Sequence, residues 1–388
     1  MKKFLSLLLS AVMAVIGCFA AVTIGYVLVT SRTEWENTEP AELTDAGSPY
    51  KFYYAKLDNT EKHAYNEILS EIYSMPQSVE IPQITAEQLD RVFSALLYDN
   101  PDLFFVGRKC TISTKWLRTF CTIEYIIDKE EYPEAKSALD QAAEKVISGL
   151  SKPDDEWQTE LEIHDYIIDN CEYKLVESEL VYSSAYGALV NGSAACEGYS
   201  KAAKLLFDRA GIESAVLSGI SENFDGTRGA HMWNAVKIDG DFYYLDCTWD
   251  DPLNDSGANI KIYSYFNINN DMIAGSHSDF SYDFNCTQTK ANYYVKTGRY
   301  FESYDRSDEK RLAALLADAL NAGEDTVQIR FGNESAYNGA VADLVDSGRI
   351  YNVLLAAKKK TKVDLSTDSL VYYKDPGQLM LTFVPEKN

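Results

Sequence analysis

Two nine-residue runs of strand-forming residues, 230–238 and 241–249, meet at Asp239-Gly240, and this dipeptide constrains the fold more than any other feature. An Asp-Gly pair flanked by apolar and aromatic residues is a strong hairpin signal, because both central residues of the favoured turn need positive φ. A two-residue turn sets Ile238 opposite Asp241, so Trp233 faces Asp246 and His231 faces Thr248. His231 and Asp246 then project from one face as diagonal neighbours, roughly 7–8 Å apart at the backbone and within reach of an imidazole and a carboxylate. A slip of one residue would send them to opposite faces. The returning strand is expected to run through Trp249.

Upstream, Asn191-Gly192-Ser193-Ala194-Ala195 gives way to Cys196-Glu197-Gly198-Tyr199 and an amphipathic run through Ala202, Ala203, Leu205, Leu206 and Phe207, closed by Gly211. Turn residues before and glycine after bracket a helix whose first turn holds Cys196. The positive end of a helix favours a thiolate, and its free N–H groups can donate to an oxyanion. Taken alone, Cys196 reads more readily as a buried structural cysteine, and His231 as a satisfied strand histidine. Together with Asp246 they have the composition of a nucleophile, a base and a group that fixes the base's tautomer. Glu197 reads as a first-turn acid answering the helix dipole.

The order Cys196-Glu197-Gly198-Tyr199, His231-Met232-Trp233-Asn234, Asp246-Cys247-Thr248-Trp249-Asp250 resembles the bacterial transglutaminase-like superfamily over about residues 155–255. Ile163-His164-Asp165-Tyr166-Ile167 and Cys171-Glu172-Tyr173 are similar to the segment that precedes the nucleophile there. The resemblance implies an α+β, papain-like core, a cysteine helix packed on an antiparallel sheet, with Cys196, His231 and Asp246 as its triad. It also makes Cys247 a core-facing side chain and not a second nucleophile. Trp233, Trp249 and Tyr199 either line an acyl-substrate groove or wall off the thiolate. Asn234 is taken as supporting, and Asn191 or Tyr186 as a second oxyanion donor. His164 reads as structural, and Asp250, Asp251 and Asp255 as a polar turn in preference to a calcium site.

Five regions are expected: a signal anchor or signal peptide (1–32), a polar tether (33–49), an α+β domain (50–150), the catalytic domain (151–288) and a C-terminal α/β domain (289–388). The apolar run from Phe4 to Thr30 is long enough to span a bilayer, and Lys2 and Lys3 before it place the rest of the chain outside a bacterial-type membrane. Its length favours an uncleaved anchor over a secretory signal. Val15-Ile16-Gly17-Cys18 has the form of a lipoprotein box, against which the following residues stay apolar. In the first domain, helices are expected at 60–75, at 85–98 behind a Thr85–Gln88 capping box, and at 133–150. Strands are expected at 103–106 and 121–127. In the last domain the pattern reads strand 293–295, helix 310–322, strand 326–331, helix 335–347, then strands near Val353 and 379–384.

A formal charge of −23 argues against nucleic acid, since phosphates need clustered cations and the chain offers only the run Lys358–Lys360, which reads as a solvated face. Seven cysteines without C-x-x-C or Cys/His spacing argue against structural zinc. Cys110 and Cys121 are placed to face one another across a hairpin. No nucleotide or metal motif is present, so no cofactor is expected. The function implied is extracytoplasmic thiol-dependent acyl transfer on peptide or side-chain amides of proteins, possible substrates including cell-surface or cell-wall peptides. The competing class is a non-catalytic surface-binding or scaffold module that keeps the fold.

Overall fold

The structure is a computed structural model that describes residue 40 and residues 49–115, 118–176, 178–223, 226–251 and 261–387. The expected anchor and tether (except 40 and 49), Cys18 and Asp255 lie outside them. Among the described residues no helix is long and apolar enough to cross a membrane. The chain divides into two compact units at Ala138/Leu139.

In the first unit, α1 (Asn59–Ile72), β1 (Ser78–Ile81), α2 (Ala86–Asp99), β2 (Val106–Lys115) and β3 (Arg118–Tyr125) form two helices and a sheet of order β1-β3-β2. The Thr85 hydroxyl accepts from the Gln88 N–H at 3.1 Å while Gln88 returns the bond at 3.0 Å, so both ends of the expected capping box are made. The run 103–106, expected as a strand, joins the sheet only at Val106, where β2 begins. Cys110 pairs in register with Ile123 and Cys121 with Ile112, so the two cysteines are diagonal neighbours, and both are free thiols.

Helix α3 (Tyr132–Gly149) leads into the second unit, which continues with α4 (Glu156–Asn170), β4 (Glu172–Tyr173), α5 (Ala185–Leu189), β5 (Ser193–Ala194) and α6 (Cys196–Ala210). The antiparallel sheet that follows has the order β8-β7-β6-β9, from β6 (Ser214–Glu222), β7 (Arg228–Ile238), β8 (Asp241–Leu245) and β9 (His277–Ser278). Between β8 and β9 lie the short helices α7 (Cys247–Asp250) and α8 (Asn270–Ile273). Helix α6 buries Tyr199, Ala202, Ala203, Leu206 and Phe207, the i, i+3, i+4, i+7, i+8 stripe that faces the core. Gly211 ends it at φ 77°, where a side chain would be strained. Full burial of Leu206 and Phe207 contributes about 1.5–3 kcal/mol each. The helix meets the sheet through Asn234, whose amide donates to Ser200 O at 3.0 Å and Ala215 O at 3.4 Å.

The C-terminal elements are α9 (Tyr293–Lys296), β10 (Tyr300–Phe301), α10 (Glu309–Asn321), β11 (Val327–Phe331), α11 (Glu334–Ala340), α12 (Ile350–Lys358), β12 (Leu365–Asp375) and β13 (Met380–Lys387). Their sheet has the order β10-β11-β13-β12, with β10 parallel to β11 and the rest antiparallel. Two segments expected as strands are helical. Residues 293–296 form one turn because the Asn292 side chain accepts from the Tyr294 N–H, and the apolar run around Val353 is α12.

Candidate active site

The hairpin has the expected register: Ile238 pairs with Asp241, Val236 with Tyr243 and Asn234 with Leu245. Asp239 and Gly240 sit at φ 51° and 88°, the positive pair the turn requires. The returning strand is shorter than expected and stops at Leu245. Asp246 instead caps α7, its Oδ1 accepting from Thr248 N at 2.9 Å and Trp249 N at 3.1 Å. This local capture by a short acidic side chain outcompetes the strand ladder. It also fixes the carboxylate, so Oδ2 meets His231 Nε2 at 2.6 Å.

With Nε2 committed to Asp246, the second ring nitrogen of His231 is left for Cys196, whose neighbouring thiol acts on the imidazole electrostatically. Burial pulls the imidazole pKa down, but the Asp246 charge and hydrogen bond, followed by the contact with Cys196, raise it to about 10. For Asp246, burial is outweighed by the His231 charge and by bonds from His231 and His277, which hold it well below the usual carboxylate range. At neutral pH the site is therefore an imidazolium between a carboxylate and sulfur. Cys196 itself is half-buried at the first residue of α6.

Gly198 explains the approach of this helix: a Cβ there would lie 2.6 Å from Tyr182 O and from the Ala194 Cβ. Glu197 lies in the first turn of α6, as expected, and also pairs with Lys201 at 2.7 Å. Trp233 is fully buried and stacks on His231, centroids 5.9 Å apart, so it walls the site. Tyr199 is equally buried, and its hydroxyl lies 2.7 Å from both Cys171 O and Asp251 Oδ2, with its single proton to give to one of them, so the ring is a packed support and not an exposed surface. Half-buried Trp249 lies 5.8 Å from the His231 ring. Asn191 stands exposed in the turn before β5. Cys247 is buried, with its thiol pKa pushed up by burial.

His164 is fully buried, 3.0 Å from Asp165 and 3.2 Å from Asp250. Burial lowers its pKa, yet the bonds and charges of Asp165 and Asp250 carry it to about 9. The carboxylates of the acidic turn are thus spent on protein partners, Asp250 on His164 and the Tyr265 N–H and Asp251 on Tyr199.

Two residues near Asp246 were not singled out from the sequence. Burial first, then the charges of Cys196 and Asp246, raise the Tyr173 phenol pKa, which places this half-buried ring beside the site. His277 brings Nε2 to Asp246 Oδ2 at 3.1 Å. His231, Asp246 and His277 are the trio among the described residues with metal-ligating atoms close together. Here one carboxylate oxygen lies within hydrogen-bonding distance of both Nε2 atoms, the geometry of an acceptor shared by two rings.

Residues 140–247 match the family model of the transglutaminase-like superfamily. This segment is a transglutaminase-like domain. No curated protein matches the chain significantly. Among solved structures, the chain is similar to a TGase, at 14% identity over 49% of this chain and 59% of that one, TM-score 0.28. It is also similar to a protein from Cytophaga hutchinsonii described as a candidate cysteine protease (12%, 36% of this chain, 61% of that one, TM-score 0.23). A third is a candidate protease from Parabacteroides distasonis (14%, 36% and 35%, TM-score 0.19). The chain spans at most about three-fifths of these proteins' length. The matched segment ends at Cys247, so it includes Cys196, His231 and Asp246, while His277 falls beyond the match.

Proposed function

We propose that this protein is an extracytoplasmic, thiol-dependent acyl-transfer enzyme acting on peptide or side-chain amides, with Cys196, His231 and Asp246 as its triad. The observation that carries the reading is the 2.6 Å bond from His231 Nε2 to a buried, doubly anchored Asp246, which leaves the other imidazole nitrogen for the neighbouring Cys196. In this mechanism the Cys196 sulfur attacks the amide carbonyl and forms a C–S bond, with N–H groups of the first turn of α6 facing the developing oxyanion. As the C–N bond breaks, His231 gives its proton to the leaving amine. Water or an amine then adds to the thioester and loses its proton to His231, and the C–S bond breaks to return the thiolate. Asp246 stays ionised throughout and steadies the imidazolium. Water is the favoured acceptor, because transamidation in aqueous surroundings needs an organised amine pocket and no sequence feature supplies one. The location rests on the lysine-flanked apolar run at the N-terminus.

The test is incubation of the full chain with a peptide library, with and without a labelled primary amine. Cleavage lost in Cys196→Ala supports hydrolysis, and label incorporated in the same Cys196-dependent manner assigns transamidation. Neither product, together with Cys196 alkylated by iodoacetamide no faster than a free thiol peptide, leaves a binding module.

A further inference from the structure

A continuous line of buried hydrogen bonds reaches the triad from the C-terminal strands. Arg330 on β11 donates from Nη2 to Gln378 Oε1 at 3.0 Å, and Gln378, in the β12–β13 turn, donates from Nε2 to the Tyr265 hydroxyl at 2.8 Å. The Tyr265 hydroxyl donates to Ser276 Oγ at 3.2 Å, Ser276 Oγ lies 2.8 Å from His277 Nδ1, and His277 Nε2 reaches Asp246 Oδ2 at 3.1 Å. All six residues are buried.

The donors order themselves. A carboxylate only accepts, so His277 Nε2 carries a proton. Ser276 sits nearer His277 Nδ1 than Ile273 O, 2.8 against 3.3 Å, so its hydroxyl proton goes to the ring and its lone pair takes the Tyr265 proton. Gln378 has one group for each neighbour, an oxygen toward Arg330 and an amide toward Tyr265. Every link then donates in one direction, from a buried cation to the carboxylate, and successive bonds polarise one another.

We propose that this relay positions Asp246, with His277 as the positioning residue and Gln378 and Arg330 as its anchor, so that the C-terminal strands are part of the acyl-transfer site. The inference rests on the acyl-transfer reading above. Its chemical effect is to share Asp246 Oδ2 between two donors, which moderates how strongly that oxygen holds the His231 proton. Among the described residues, the titratable groups facing His231 are Cys196, Asp246 and His277. Tyr173 senses Cys196 and Asp246, while Asp250 and Tyr265 sense Asp246.

The test uses the full chain and follows alkylation at Cys196 by peptide mass spectrometry. Anionic iodoacetate is favoured over neutral iodoacetamide while an imidazolium stands beside the sulfur, so the ratio of the two rates against pH reads the loss of the His231 proton. His277→Phe leaves Oδ2 to His231 alone and is expected to move this step to higher pH, lowering the dissociation constant roughly three-fold. Tyr265→Phe and Gln378→Met are expected to move it the same way by roughly 1.5- to 2-fold, and His277→Gln, whose amide N–H can take the place of Nε2–H, to return it toward wild type. Should His277→Phe fail to fold, the two distal variants carry the test. A step present in wild type and unmoved in the variants overturns the relay alone. A wild type without a step overturns the functional reading and the relay with it.

Discussion

Asp246→Asn isolates what the carboxylate does, because the amide oxygen can keep capping α7 at Thr248 and Trp249 while the charge disappears. In the native protein the His231 pKa is raised from 6.5 to about 10 with Asp246 as the leading raising cause, against a burial effect that alone would lower it. Without the charge, the imidazole should lose its proton below pH 6.5. The interval between 6.5 and about 10 corresponds to about 5 kcal/mol, at about 1.36 kcal/mol per pH unit. Because the native value is the raised one, this contribution to stability is complete below pH 6.5 and fades as pH climbs toward 10. Asp246, whose pKa is depressed, loses its share only as pH falls through acid. The variant should therefore show a flatter stability profile between pH 6.5 and 10. An Asn amide pointing its NH2 at Nε2 also turns that nitrogen into an acceptor and leaves the N–H facing sulfur, the wrong tautomer for a base. The expected loss in turnover is about 10³- to 10⁴-fold. Nitrogen-15 NMR of histidine side chains from pH 5 to 11, with denaturation at each pH, reads both effects. A wild-type His231 that titrates near 6.5, or a variant His231 still charged at pH 8, refutes the reasoning.

Two further outcomes follow from packing and burial. Gly198→Ala forces a Cβ against Tyr182 O and Ala194, so it should cost about 1–3 kcal/mol in thermal or denaturant unfolding and slow Cys196 alkylation as the helix start moves; an unchanged protein would show that the close approach is slack. His164→Leu leaves the buried Asp250 without its cation and should cost about 3–5 kcal/mol at pH 6.5, with a smaller gap from wild type at pH 9.5, since the native histidine discharges near 9; equal gaps at both pH values would count against the ion pair.

Much of the site was legible because it is built from local signals. Asp239-Gly240 fixes the hairpin register, and with it the relation of His231 to Asp246. The glycines around residues 192–211 mark the helix that starts at Cys196. The sequence reading failed where side chains compete with the backbone. Thr248 and Trp249 look like strand, but Asp246 claims their N–H groups, and Asn292 does the same to Tyr294. The run around Val353 failed for another reason, since a short apolar stretch has the same pattern in a buried strand or a buried helix. His277 carried no local signal, because it reaches Asp246 only through a two-residue strand pairing with β6, more than fifty residues earlier in the chain.

The separations along the chain also bear on how the protein is made. His231 and Asp246 belong to one tight hairpin, a unit of the kind that closes in about 1–10 μs, whereas the sulfur rides on a helix that must dock from outside it. A chain still being synthesised can thus hold the His231–Asp246 pair before Cys196 has met either residue. In the proposed mechanism the sulfur therefore acquires its partner imidazole only when tertiary packing brings that helix onto the hairpin, and not from any local signal around Cys196.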